Sequence, residues 1–189
     1  MDAIALLVAD HNRVRGLFAR FKPAEEATDA VTMSALASAI FEELKVHTRI
    51  EEDVFYPWIR NLSREIEDSV EEGLQEHHEV EVLMEECSSL APDQAEWKAK
   101  LTVIIENIEH HAGEEEEKLF PKVRSHSSAD QRRELGVRME TAKAALGAPT
   151  VADKIDLTTE HLRELASDQQ IPGRSSMDHD QLAATVAPG

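Results

Sequence analysis

The sequence predicts an all-α protein: an antiparallel up-down four-helix bundle, then a short fifth helix and a small helical C-terminal appendage. Three observations predict it. The 189 residues include only seven Gly and seven Pro and are rich in Ala, Leu, Glu and Lys, which favours helices over sheets. Apolar residues recur at helical spacing along four long segments, and no segment alternates as a strand does. The same four segments carry an internal repeat that relates the first to the third and the second to the fourth.

The elements follow from punctuation. Asp2 is placed to cap a first helix running to about Phe21, where Lys22-Pro23 ends it. A second helical stretch spans about 30–60, a third about 63–90, stopping at Ala91-Pro92, and a fourth about 93–124. A shorter fifth helix covers about 129–146 and ends at Gly147 and Pro149. Residues 1–146 are thus read as the bundle, 147–155 as a linker and 156–189 as a small helix–loop–helix tail.

The repeat is explicit. His47 to Pro57 reads HTRIEEDVFYP and His111 to Pro121 reads HAGEEEEKLFP. Both contain His, Glu at +4 and +5, an acid at +6, an aromatic at +9 and Pro at +10. In the first and third segments, His11 and His77 are each followed by apolar residues at +3, +6 and +7. The bundle therefore reads as two αα-hairpins, each offering one His on its first helix and His-x-x-x-Glu on its second.

Helical spacing puts these histidines on apolar stripes. Ile4, Leu7, His11, Val14 and Phe18 share a face, as do Ile40, Leu44, His47, Glu51 and Val54. So do Val70, Leu74, His77, Glu81 and Met84, and Ile104, Ile108, His111, Glu115 and Leu119. His78 and His110 fall on more polar stripes, and His126, His161 and His179 lie outside the repeat as surface residues. One isolated helical histidine is ordinarily a hydrogen-bonded core residue. Four in register, three of them followed by an inward glutamate, are different. Buried carboxylates cost several kcal/mol each unless paired or metal-bound, on the order given by ion desolvation. Histidine nitrogens and carboxylate oxygens without clustered cysteines suit iron, manganese or zinc. Ferritin-type sites need Glu three residues before His; those positions are Val8, Leu44, Leu74 and Ile108. The zinc-protease motif HExxH is absent too.

The order His, HxxxE, His, HxxxE resembles the hemerythrin/HHE cation-binding family in its bacterial branch, over roughly residues 1–124. The resemblance implies two iron ions, oxo- or hydroxo-bridged, at the middle of the bundle. His11, His47, His77 and His111 would be terminal ligands, with Glu51 and Glu115 bridging. Oxygen-carrying members have a second His one turn after the third-helix ligand, where this sequence has Glu81. They also have Asp at +5 on the fourth helix; here +4 and +5 are Glu115 and Glu116, and Glu115 is favoured because it matches Glu51. Glu81 is expected to complete the iron held by His77 and His111, favouring Fe(III) and leaving the other iron open. Its counterpart in the first hairpin is Arg15. Tyr56 reads as a packing residue, because Phe55 takes the metal-facing position, and Pro57 and Pro121 are expected to kink or end their helices beyond the site.

Three functions fit: a protein that binds or senses O₂, NO or peroxide at an open iron position, a peroxide- or NO-consuming oxidoreductase, or a bundle that its metal merely stabilises. The net charge of −18, from 20 Lys and Arg against 38 Asp and Glu, argues against nucleic acid and anionic membranes as partners. The single cysteine, Cys87, fits a reducing cytoplasm, and the apolar run Ile4–Ala9 is too short for a membrane span or signal-peptide core. The tail weakly resembles Rho N-terminal or SAP-like helix–loop–helix units. With three Lys and Arg against seven acids from Asp153 onward, it suits a protein partner or a packing role better than nucleic acid.

Overall fold

The computed structural model describes residues 1–147, Arg163 and the 3₁₀ turn Arg174–Ser176. The expected linker beyond Gly147, the rest of the Rho-N/SAP-like tail, His161 and His179 lie outside the described residues. Among the described residues the chain is all-helical, with no strand. The elements are α1 (Ala3–Glu26), α2 (Ala30–Ile50), α3 (Tyr56–Ile59), α4 (Arg64–Ser88), α5 (Ala95–Glu114), α6 (Phe120–Ser125) and α7 (Ala129–Ala145). Two π-helical turns, Glu51–Phe55 and Glu115–Leu119, join α2 to α3 and α5 to α6.

Local chemistry sets the starts. Asp2, Asp29 and Ser63 accept from the backbone N–H groups of Ile4, Thr32 and Ile66, and Ser128 forms a reciprocal capping box with Gln131. The predicted end of α1 at Phe21 is corrected: the helix continues to Glu26 with Pro23 inside it. A proline costs its own i→i−4 bond, but Phe21 and Ala24 are buried and hold the extra turn against the core.

Helices α1 and α2 form one hairpin, α4 and α5 the other, and α7 packs across α1. Its approach is close. A Cβ at Gly136 would lie 2.0 Å from the Met1 carbonyl oxygen, so only glycine fits. Arg132 anchors the same contact through Asp2 at 2.9 Å.

The core is split in two. One cluster contains Val14, Phe18, Phe21, Met33, Ile40, Leu44, Met84, Trp97, Leu101 and Ile104. The other contains Ile4, Leu7, Ile50, Phe55, Ile59, Ile66, Val70, Phe120, Val123 and Leu135. In sequence, the four stripe histidines fall between the two sets on every helix. They form a polar layer across the middle of the bundle. No helix among the described residues is long and apolar enough to cross a membrane.

Candidate metal centre

The polar layer is built from four histidines and two glutamates. His11, His47, His77, His111, Glu51 and Glu115 are all buried. Nε2 of His11 lies 3.2 Å from Nε2 of His47, and Nε2 of His77 lies 3.2 Å from Nε2 of His111. Glu51 Oε2 sits 3.2 Å from His47 Nε2 and 3.3 Å from His77 Nε2. Glu115 Oε2 sits 3.3 Å from His11 Nε2 and 3.8 Å from His111 Nε2. Each glutamate thus faces one histidine from each pair. Donor atoms of His11, His47, Glu51 and Glu115 all lie within 4.8 Å of one another, as do those of Glu51, His77 and His111.

This donor set fits metal ions. Both oxygens of Glu51 and Oε2 of Glu115 are buried without a hydrogen-bond partner, which is costly unless a cation meets them. Two nitrogens about 2.1 Å from one ion and about 100° apart are about 3.2 Å from each other, the spacing found in both pairs. Without a cation, protons take its place. Burial disfavours charge on His11, but Glu115 and Glu116 outweigh it and lift its pKa to about 9. Burial pushes His47 down to about 4 against the pull of Asp10. Burial, helped by repulsion from Glu115, raises Glu51 well above the carboxylate range. Burial would raise Glu115 too, but His111 and His11 hold it down to about 2.

The outward nitrogens face carboxylates. Nδ1–H of His11 donates to Glu116 at 2.8 Å, that of His77 to Glu52 at 3.0 Å and that of His111 to Glu76 at 2.7 Å. Asp10 lies 3.7 Å from His47 Nδ1, beyond hydrogen-bonding distance. An acceptor on Nδ1 leaves Nε2 aimed inward as the nitrogen for a metal.

The π turns explain how the second helix of each hairpin is shaped. Pro57 and Pro121 lack the N–H that would close the preceding α turn. The chain widens instead: Tyr56 N–H bonds the Glu51 carbonyl and Phe120 N–H bonds that of Glu115, both five residues back. The helices are thus re-registered just below the site, and the prolines fall in the first turns of α3 and α6. The extra residue lets two successive side chains face inward, Phe55 with Tyr56 and Leu119 with Phe120. Hence the reading of Tyr56 as packing alone is corrected. Its ring stacks on His77 at 5.6 Å, and its hydroxyl donates to Glu115 Oε1 at 3.1 Å. Phe120, its repeat counterpart, stacks on His11 at 6.1 Å without a hydroxyl to offer.

Of the seven expected ligands, the structure brings six together and leaves Glu81 out. Glu81 is exposed and borders an open cavity with Glu52 and His77. The reason is that α4 runs unbroken as α-helix, and its buried stripe steps through His77, Val80, Met84 and Cys87. The position four after His77 falls on the flank. His78, His110 and His126 are exposed. Glu115 faces the cluster, whereas Glu116 takes the outer side of His11. The acids at the outer nitrogens were missed by sequence reasoning. Their signal was present: an acid directly precedes His11 and His77, and a second Glu follows each HxxxE.

Space remains around the layer. A small cavity of about 30 Å³ borders all four histidines and is walled by Val14, Phe18, Leu44, Val80, Ile108 and Ala112. Two larger ones open to the surface. One of about 460 Å³ reaches His77 between α2 and α4, and one of about 260 Å³ reaches Tyr56, His111 and Glu115.

Residues 2–123 match the hemerythrin HHE cation-binding domain. This chain belongs to that family. The match spans the two hairpins and the whole polar layer, so metal binding is a property shared by fold, site and family. A DNA nickase of Nostoc sp. (strain PCC 7120 / SAG 25.82 / UTEX 2576) is 26% identical over 137 residues, covering 72% of this chain. The aligned part spans 38% of that relative's length. No solved structure matches.

Proposed function

We propose that this chain is a non-haem diiron protein that binds or senses a small ligand, O₂, NO or peroxide. The observation that carries the reading is the shared carboxylate: Glu51 belongs to both donor groups, which supports one two-ion centre over two separate sites. His11 and His47 would hold one ion, His77 and His111 the other, with Glu51 and Glu115 between them. Iron there supplies a redox couple and an exchangeable coordination position. The chain's own residues do the rest. Val14, Phe18, Leu44, Val80 and Ile108 give the small cavity an apolar wall beside the histidines, with room for a molecule as small as a diatomic. Tyr56 holds Glu115, and the outer acids hold the histidines.

Optical spectra of freshly purified protein test this, before and after addition of NO or peroxide. The reading expects new absorption bands at stoichiometric ligand. Iron-loaded protein with unchanged spectra would leave a metal that only stabilises the bundle. A peroxide- or NO-consuming oxidoreductase is the second reading, favoured by the two open cavities on the His77/His111 side; catalytic turnover of either substrate distinguishes it.

The unit carrying this function is residues 1–146, with the linker and the tail from 156 as a separate element for a protein partner, in a cytoplasmic protein. Truncation after Gly147 should leave iron content and helicity unchanged. The nicking activity in the relative's name is not carried over, since a chain of net charge −18 repels nucleic acid.

A further inference from the structure

We infer that Glu52, Glu76 and Glu116 are positioning residues that set the tautomer and aim of three metal-binding histidines, in a pattern that crosses between the hairpins. The inference rests on the metal reading above and extends it to residues outside the ligand set.

The pattern is regular. The acid at +5 of each second-helix histidine serves the opposite hairpin: Glu116, five after His111, accepts from His11, and Glu52, five after His47, accepts from His77. The acid at −1 of each first-helix histidine faces its own hairpin partner. Glu76, before His77, accepts from His111 at 2.7 Å, while Asp10, before His11, stands 3.7 Å from His47. Asp10 is drawn off by Lys143 of α7, whose Nζ lies 2.5 and 2.6 Å from its two oxygens. Sequence spacing explains the crossing. A glutamate at +4 enters the layer, and its neighbour at +5 is turned about 100° around the helix, towards the next helix of the other hairpin.

Two consequences follow. Each carboxylate accepts from Nδ1–H, so Nε2 is the nitrogen that meets the ion, with no tautomer to select on binding. Moreover, His11 and His77 are aimed only when the two hairpins are docked, so metal affinity is coupled to the packing between hairpins. These are not general surface acids. Glu81 borders the same cavity as Glu52 and makes no such contact with the histidine.

Zinc(II), diamagnetic and readily bound by imidazole, is the probe. Full-length zinc-loaded protein should give slowly exchanging Nδ1–H signals in nitrogen-edited NMR, assigned by single His substitutions. Glu52→Leu should shift or remove the signal of His77, Glu116→Leu that of His11 and Glu76→Leu that of His111, each leaving the other two in place. Glu52→Gln, Glu76→Gln and Glu116→Gln keep an acceptor but lose the charge. They should weaken zinc about 10- to 100-fold in chelator competition, while Glu81→Gln removes the same charge with less than a twofold change. Helicity by circular dichroism checks that each variant folds. Signals that move without this pairing, or Gln variants indistinguishable from Glu81→Gln, overturn the inference while leaving the metal centre standing. Wild-type protein that binds no zinc and no iron overturns both.

Discussion

The two half-sites are built from one repeated pattern, yet the charge around the first is balanced and that around the second is not. In the first, His11 and His47 are backed by acids that cations hold in turn. Arg15 donates to Glu116 at 2.8 Å, and Lys143 pairs with Asp10. In the second, His77 and His111 are backed by Glu52 and Glu76, which border the open cavities. The position four residues after the first-helix histidine is Arg15 in one hairpin and Glu81 in the other. The hydroxyl on the +9 aromatic is present at Tyr56 and missing at Phe120. The lesson is that repetition fixes the donor atoms while single substitutions around them separate the two half-sites. The outer acids of the first are clamped by cations; the second is more negative, borders the two larger cavities and is flanked by a phenol.

The largest effect comes from deleting the donors themselves. His77→Ala or His111→Ala should take most of the second ion, and His11→Ala or His47→Ala most of the first. His78→Ala and His110→Ala, adjacent in sequence but exposed, should retain full metal. Elemental analysis reads this. An essential His78 or His110 would place the helix register one residue off.

Next comes the charge that distinguishes the halves. Arg15→Glu would give the first half-site the negative flank of the second, and Glu81→Arg the reverse. Negative charge favours Fe(III), so Arg15→Glu should lower the reduction potential and Glu81→Arg raise it. Coulomb's law across about 10 Å at an effective dielectric of about 20 puts each shift on the order of 0.1 V at most, less where solvent screens. Redox titration decides it, and equal potentials in both variants would erase the comparison.

The phenol gives a smaller, structural difference. A Cβ at Gly73 would sit 2.7 Å from the Tyr56 hydroxyl, so that glycine makes room for it. Gly73→Ala should destabilise the protein while Tyr56 is present. In a Tyr56→Phe background the nearest contact relaxes to the ring carbon at 3.3 Å, and the same change should cost less. Thermal unfolding of the four-member cycle measures the coupling.

Much of this was legible in the sequence, and the misses have physical causes. Helical period and repeat located the hairpins and the inward histidines, because a histidine on an apolar stripe has one side to face. Glu81 was misplaced because its spacing from His77 matches that of Glu51 from His47. Only the proline-driven π turn, lacking in α4, distinguishes the two helices. The same turn hid the inward face of Tyr56, since α-helical spacing allows Phe55 or Tyr56 inside but not both. The outer acids were lost among 38 Asp and Glu, where charge alone gives no sign of which ones face a histidine.

The smallest effect is one of pH. Burial disfavours the Asp10 charge, yet His47, Lys143 and Arg13 hold its carboxyl well below the usual range. A depressed carboxylate contributes stability that is present above its unfolded pKa of about 3.9 and is lost as pH falls towards the folded value. Metal-free protein should therefore lose thermal stability steeply below about pH 4, and Asp10→Asn should lose it less steeply. Parallel curves for the two would remove Asp10 from the account.

The central claim is one centre of two ions, with one histidine pair to each and Glu51 and Glu115 between them. Iron stoichiometry with magnetic measurement on protein expressed in iron-supplied medium tests it most directly. The account predicts close to two irons per chain, magnetically coupled through their shared ligands. A single zinc with no iron, or two irons that behave as independent ions, would contradict it.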